Sequence, residues 1–238
     1  MTMKSRLALG AAAAAILLAC AKTAESAPAS AAPATSAAGP AKVATYGPDA
    51  VPVALDTALL RKADAGRIAG DSTAKVIVLE VSDFQCPYCK SFHEETYPSV
   101  RREYVDNGRT RIAYVNLPLR SHQNAWPAAE AAMCASVQGK FWTMHDSLFT
   151  AQDRWAGITQ ADTMFSRFAA ALKLDTSAYD KCITSHATRP LIASDAERAS
   201  NAGISGTPAF IIGDSLISGA YPFAAFKRVI DANLTARR

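Results

Sequence analysis

Apolar and polar positions divide the chain into three regimes. Leu7 to Ala19 is a continuous apolar run, and Ala21 to about Ala50 is Ala, Pro, Ser and Thr with few large side chains. Beyond that, apolar residues recur with the periods of strands and helices. Val76–Val81 is a β-branched run of strand length and predicts a buried strand. Ser82–Gln85 reads as a short turn. The helix after it opens on Pro87, at a position that tolerates a missing N–H. Pro98 should kink or break that helix, and Asn107-Gly108 should stop it. Arg111–Leu117 predicts a second strand, parallel to the first because a helix intervenes. Residues 122–203 then follow a helical pattern almost throughout: Ala125–Val137, Phe141–Phe149, Gln160–Leu174, a helix capped by Thr176 or Ser177 that runs through Cys182, and Leu191–Ala202. Ala209–Ile212 and Leu216–Ser218 predict a hairpin around Gly213-Asp214, and Phe223–Leu234 a closing helix.

Composition narrows the classes. The chain has 238 residues, half of them apolar, which excludes wholesale disorder and suits one or two domains. Net charge is +4; without Lys4 and Arg6 of the leader it falls to +2, and no basic run is present, so nucleic acid is not an expected partner. Apart from the leader, no apolar stretch reaches the roughly 20 residues that span a bilayer.

The leader, residues 1–19, has a positive start (Lys4, Arg6), a short apolar core and a small residue before Cys20, as an export signal does. Leu17-Leu18-Ala19-Cys20 also resembles a lipobox, the cleavage site of bacterial lipoproteins. That resemblance implies lipidation of Cys20 and membrane association through it. With Ala21 rather than Asp next, it points to the outer membrane; ordinary cleavage to a soluble periplasmic protein is the alternative. Residues 20–50 read as a flexible tether, because they cannot bury enough apolar surface to order themselves. As a coil the tether spans roughly 30 Å.

The five cysteines are Cys20, Cys86, Cys89, Cys134 and Cys182. With Cys20 lipidated, four remain in an exported chain, where disulfides persist. Cys86 and Cys89 form a Cys-x-x-Cys pair, leaving Cys134 and Cys182 for each other; two separate buried thiols are the alternative. Cys86 falls at a helix N-terminus directly after a buried strand. Unpaired backbone N–H groups and the helix dipole there stabilise a thiolate, the nucleophile of disulfide exchange. Cys86 is expected to be the exposed attacking thiol and Cys89, one turn inside, the resolving one. A zinc site with His93 as third ligand lacks a second cysteine pair. An inert structural disulfide does not use the strand–turn–helix setting. Glu80, inside the apolar strand, needs a task or a partner. His93, His122, His145 and His186 have no spacing that suggests a metal, and each reads as solvated or packed. Phe141, Trp142, Phe149 and Phe168 read as core.

Asp83-Phe84-Gln85-Cys86-Pro87-Tyr88-Cys89-Lys90, with Gly203-Ile204-Ser205-Gly206-Thr207-Pro208-Ala209-Phe210 some 120 residues later, resembles the DsbA-like thiol–disulfide oxidoreductases of the bacterial envelope. The resemblance covers roughly residues 66–235. It implies an α/β, thioredoxin-like fold with a helical insertion between its two halves. Residues 51–121 would form the N-terminal half with the active site, 122–203 the insertion and 204–238 the C-terminal half. It further implies a cis Thr207–Pro208 bond facing the cysteines and Glu80 as proton relay to Cys89. A second, non-catalytic bridge occurs in some members. Phe84, Tyr88 and the Ser205–Pro208 loop would line a groove for unfolded, cysteine-containing exported proteins. The implied activity is dithiol oxidation by a monomer without cofactor, in the periplasm, recycled by a membrane quinone-linked partner. Pro87-Tyr88 departs from the Pro-His of the best-known oxidases, which keeps isomerase and reductase open. A thiol-based copper-handling lipoprotein is the reading from a different class.

Overall fold

The computed structural model describes residues 56–237. The leader, Cys20 and the tether assigned to residues 1–50 lie outside the described residues, as do residues 51–55 and 238.

Five strands form one sheet in the order β1-β3-β2-β4-β5. Its centre is the predicted strand: β2 (Val76–Ser82) pairs in parallel with β3 (Thr110–Asn116), from Val76 opposite Thr110 to Ser82 opposite Asn116. On its other side β2 runs antiparallel to β4 (Ala209–Ile212), which turns through Gly213 into β5 (Ser215–Ser218). Alternation divides β2 between two faces. Val76 and Val78 pack with Phe92, Phe210 and Phe226 beneath α2 (Pro87–Glu95) and α10 (Phe223–Ala236). Val81 packs on Ala196 and Ala199 of α9 (Arg189–Asn201), on the opposite face.

Two elements precede β2 that the periodicity did not reveal. Helix α1 (Thr57–Gly66) is capped by Asp56, whose carboxylate accepts from the N–H groups of Ala58 and Leu59 at 3.0 Å. The two-residue β1 (Ile68–Ala69) pairs antiparallel with β3, and two residues carry no readable period.

The Pro98 expectation holds. Helix α2 stops at Glu95, Pro98 sits in the first turn of α3 (Tyr97–Val100), and a π-helical turn, Arg101–Val105, carries the chain on. The helices of 122–203 are α4 (Ala125–Val137), α5 (Phe141–Thr150), α6 (Gln152–Trp155), α7 (Asp162–Ala171), α8 (Thr176–Thr184) and α9. Helix α4 is buried almost all round, which its Ala-rich sequence permits, since small side chains admit neighbours on every side. Phe141 and Phe149 are core, and Trp142 and Phe168 pack against it, as expected. Two details differ. Helix α6 was not anticipated, being a single turn. The cap of α8 is Asp175, not Thr176 or Ser177: its carboxylate accepts from Ala178 N–H at 3.0 Å. Cys134 of α4 and Cys182 of α8 are joined by a disulfide, with Cα atoms 5.9 Å apart.

Candidate active site

Strand β2 ends at Ser82, and a three-residue turn delivers Cys86 to the N-cap of α2, with Pro87 in the first helical turn. Cys86 and Cys89 are free thiols. Cys89, on the inner face of α2, is fully buried. Cys86 is only 3% exposed, so the expectation of an exposed attacking thiol is corrected. The cover comes from the other motif: the Thr207–Pro208 bond is cis, and the Thr207 carbonyl accepts from the Cys86 thiol at 3.4 Å.

The two thiols are driven apart electrostatically. Cys86 is lowered to about 6. The Cys89 thiol holds it down first, then the Thr207 side chain and the N–H groups of Cys89 and Tyr88, against the opposing effect of burial. Cys89 is pushed well up by burial and by its neighbour Cys86. The Cys89 thiol and the N–H groups of the helix N-terminus thus favour the thiolate on the outer sulfur, while burial and the neighbouring sulfur deny it to the inner one.

Glu80 lies on the same sheet face as its register partners Tyr114 and Phe210, 1% exposed, with Oε2 unpartnered. Burial raises its carboxyl to about 8, with the charge of Asp146 adding to the shift. It is a buried acid beneath α2 that titrates near neutral pH.

Among the residues assigned to a substrate groove, Tyr88 is 68% exposed, Ser205 is exposed, Thr207 is half-buried and Pro208 is buried. Phe84 is a correction. It is 1% exposed and stacks on Tyr114 at 4.7 Å, with Phe149 at 5.1 Å, so it belongs to the core. An apolar ring directly after the strand is pulled into the helical insertion rather than left in water.

Several residues that secure the site had no assigned role. Gln152 of α6 donates to the carbonyls of Phe84 (2.7 Å) and Cys86 (3.0 Å), bracing the turn from the insertion. Gln85 donates to Ala156 O at 2.8 Å and accepts from Asn124 N–H at 2.6 Å. Buried Asp83 accepts from Gln85 N–H (2.7 Å) and Leu119 N–H (2.9 Å), and pairs with His122 Nδ1 (2.7 Å). His93 Nε2 and His145 Nδ1 meet Asp146 Oδ1 at 3.2 and 2.9 Å, a set of donors close enough to hold a metal ion. Burial lowers His145 to about 4. Apart from the Asp83–Gln85 and His145–Asp146 contacts, these partners lie tens of residues apart, and no local pattern announces them.

The fold and the buried dithiol at a helix N-terminus define a thioredoxin-type redox protein. Residues 62–232 match the family described as Thioredoxin, and the chain belongs to that family. A solved structure of Wolbachia pipientis alpha-DsbA1 superposes with a TM-score of 0.64 at 24% identity, over 71% of this chain and 91% of that one. The DsbA-like fold expected from the motifs is therefore the fold observed. A probable disulfide bond formation protein D of Bacillus anthracis is 26% identical, over 69% of this chain and 76% of its own length. An Na(+)/H(+) antiporter NhaA 3 of Salinispora tropica is 34% identical over 176 residues, 74% of this chain but 26% of its own length. The chain thus spans about a quarter of that relative.

Proposed function

We propose that this chain is an envelope thiol–disulfide oxidoreductase, running chiefly as a dithiol oxidase that introduces disulfides into exported proteins. The observation that carries this reading is the asymmetry of two thiols on one helical turn, Cys86 low and Cys89 high. In the oxidised site, a substrate thiolate attacks the Cys86 sulfur, and Cys89 leaves as thiolate and takes up a proton. A second substrate thiolate then attacks the substrate sulfur of the mixed disulfide, and Cys86 leaves as thiolate. The substrate loses two electrons and the site gains them. A low-pKa leaving group speeds the last step and favours the oxidising direction. Glu80, still protonated at neutral pH, is in this reading the donor of the proton that Cys89 takes up. Run in reverse, Cys89 resolves the mixed disulfide and returns that proton to the ionised carboxylate.

Tyr88, Ser205, Thr207 and Pro208 receive the substrate, whose extended backbone pairs along the Thr207 segment. A membrane quinone-linked partner reoxidises the pair. The protein works as a monomer in the periplasm, held to a membrane through lipidated Cys20. The relative named a probable disulfide bond formation protein supports the same direction.

The test uses the oxidised full chain and a reduced, unfolded substrate protein. Disulfides should appear in the substrate in step with free thiols at Cys86 and Cys89. Cys86→Ser should abolish transfer, and Cys89→Ser, given a disulfide-containing substrate whose disulfide the Cys86 thiolate attacks, should accumulate mixed disulfides. Reshuffling of scrambled disulfides with no net transfer would replace the oxidase reading with the isomerase one.

A further inference from the structure

The Cys-Pro-Tyr-Cys turn carries no cation of its own between its cysteines, yet a buried carboxylate stands at its foot. Asp83 has no exposed side-chain surface, and its own carbonyl accepts the Cys86 N–H at 3.1 Å, so both belong to one turn. A charge buried beside a thiolate repels it and works against its formation. Two of the hydrogen bonds to Asp83 come from neutral backbone groups, at Gln85 and Leu119; the third comes from His122 Nδ1, which can carry a proton's charge. His122 arrives from the loop between β3 and α4, 39 residues away in sequence, and keeps 21% of its side chain in contact with solvent, so it can exchange that proton.

We propose that His122 is a positioning residue for the Cys86 thiolate: in its protonated form it cancels the buried charge of Asp83 at the base of the active-site turn. It thereby supplies, from outside the Cys-x-x-Cys motif, the positive charge that Pro87 and Tyr88 lack. The charged and titratable groups His122 feels are Asp83 and Cys86. Its pKa is raised by the Asp83 hydrogen bond first, and by the charges of Asp83 and Cys86, against burial. Coupling between two sites is reciprocal. If the Cys86 thiolate favours protonated His122, protonated His122 favours the thiolate to the same extent. The oxidised protein has no thiolate, so reduction of the disulfide should tighten the hold of His122 on its proton. The inference rests on the oxidoreductase reading for its functional meaning, but its test needs no substrate.

The experiment is an NMR titration of the His122 ring in the oxidised and the reduced wild-type chain, with thiolate absorbance of Cys86 followed in parallel. His122 should titrate at higher pH in the reduced form. The variant His122→Asn keeps a neutral donor near the Nδ1 position and removes the charge. It should raise the Cys86 pKa by about one unit. The same loss makes the oxidised pair about tenfold less favourable to reduce against glutathione, a potential lower by about 30 mV. The same His122 pKa in both redox states would overturn the inference, because that measurement uses unaltered protein. So would an unchanged Cys86 pKa in a folded His122→Asn chain. Failure of disulfide transfer with the redox-dependent His122 pKa intact would sink the oxidase reading alone.

Discussion

At the scale of single residues, the site works by placing three ionisable groups in unequal surroundings. Cys86 receives donors and Cys89 receives burial, so their reactivities should separate. Alkylation of the reduced chain should proceed at Cys86 with a midpoint near pH 6, against about 8.5 for a free cysteine, while Cys89 stays protected. A Cys86 midpoint at the free value would remove the argument from the helix N-terminus. Glu80 makes a second prediction. Its folded pKa, about 8, lies above the ordinary 4.5, so below pH 4.5 both states are protonated and nothing is lost. As pH rises from 4.5 to 8 the unfolded chain ionises and the folded one does not. Stability therefore falls across that window, by up to about 5 kcal/mol, and levels off above it. Glu80→Gln should flatten this slope and be the more stable protein at pH 8, as denaturant titrations at pH 5 and pH 8 would measure. Parallel pH slopes for wild type and variant would show that the carboxyl is not held neutral.

At the scale of elements, the catalytic turn is braced by a helix of one turn. Gln152 of α6 gives its amide to two carbonyls of the turn. Gln152→Leu preserves bulk but takes the side-chain donor from the buried Phe84 carbonyl, while the Cys86 carbonyl keeps the Lys90 N–H, so it should lower stability by about 1–3 kcal/mol. Amide exchange at residues 84–88 should quicken more than in the sheet; uniform quickening would mean that α6 serves only the global fold. The α1–α4 contact is equally close. A Cβ on Gly66 would lie 2.4 Å from Ser136 Oγ and 2.7 Å from its carbonyl oxygen. Ser136 Oγ also donates to Ala63 O at 2.6 Å, so the side chain is already committed. Gly66→Ala should cost about 1–3 kcal/mol as overpacking, seen as a lower melting temperature with the Cys86 pKa unmoved.

At the scale of the whole molecule, the two cysteine pairs divide the labour. The Cys134–Cys182 bridge ties α4 to α8 in the helical part, while the redox pair sits at the head of α2. It closes a loop of 48 residues, and in the chain-entropy account such a closure contributes about 4 kcal/mol. Replacing both cysteines with Ala should lower unfolding free energy by a few kcal/mol while disulfide transfer per folded molecule stays the same. A large loss of transfer in the folded variant would mean that the bridge also shapes the site.

What the sequence alone determined was whatever neighbours in the chain decide. The β-branched run of β2, Pro87 at the head of α2, the break near Pro98 and the bounds of α4 were all readable, because strand period, proline geometry and helix composition act over a few residues. The cysteine pair and the Thr207–Pro208 loop were legible as motifs, and with them the fold and the chemistry. Tertiary structure decided which side chains meet and which are taken out of water. It turned Phe84 inward onto Tyr114, covered Cys86 with Thr207, set His122 on Asp83 across 39 residues and brought Gln152 back 68 residues to Phe84. It also gathered His93, His145 and Asp146, which no spacing foretold. The physical reason is that burial and buried hydrogen bonds are settled by the packing of whole elements. A residue's own neighbours in sequence carry no record of what a helix or loop from elsewhere will press against it.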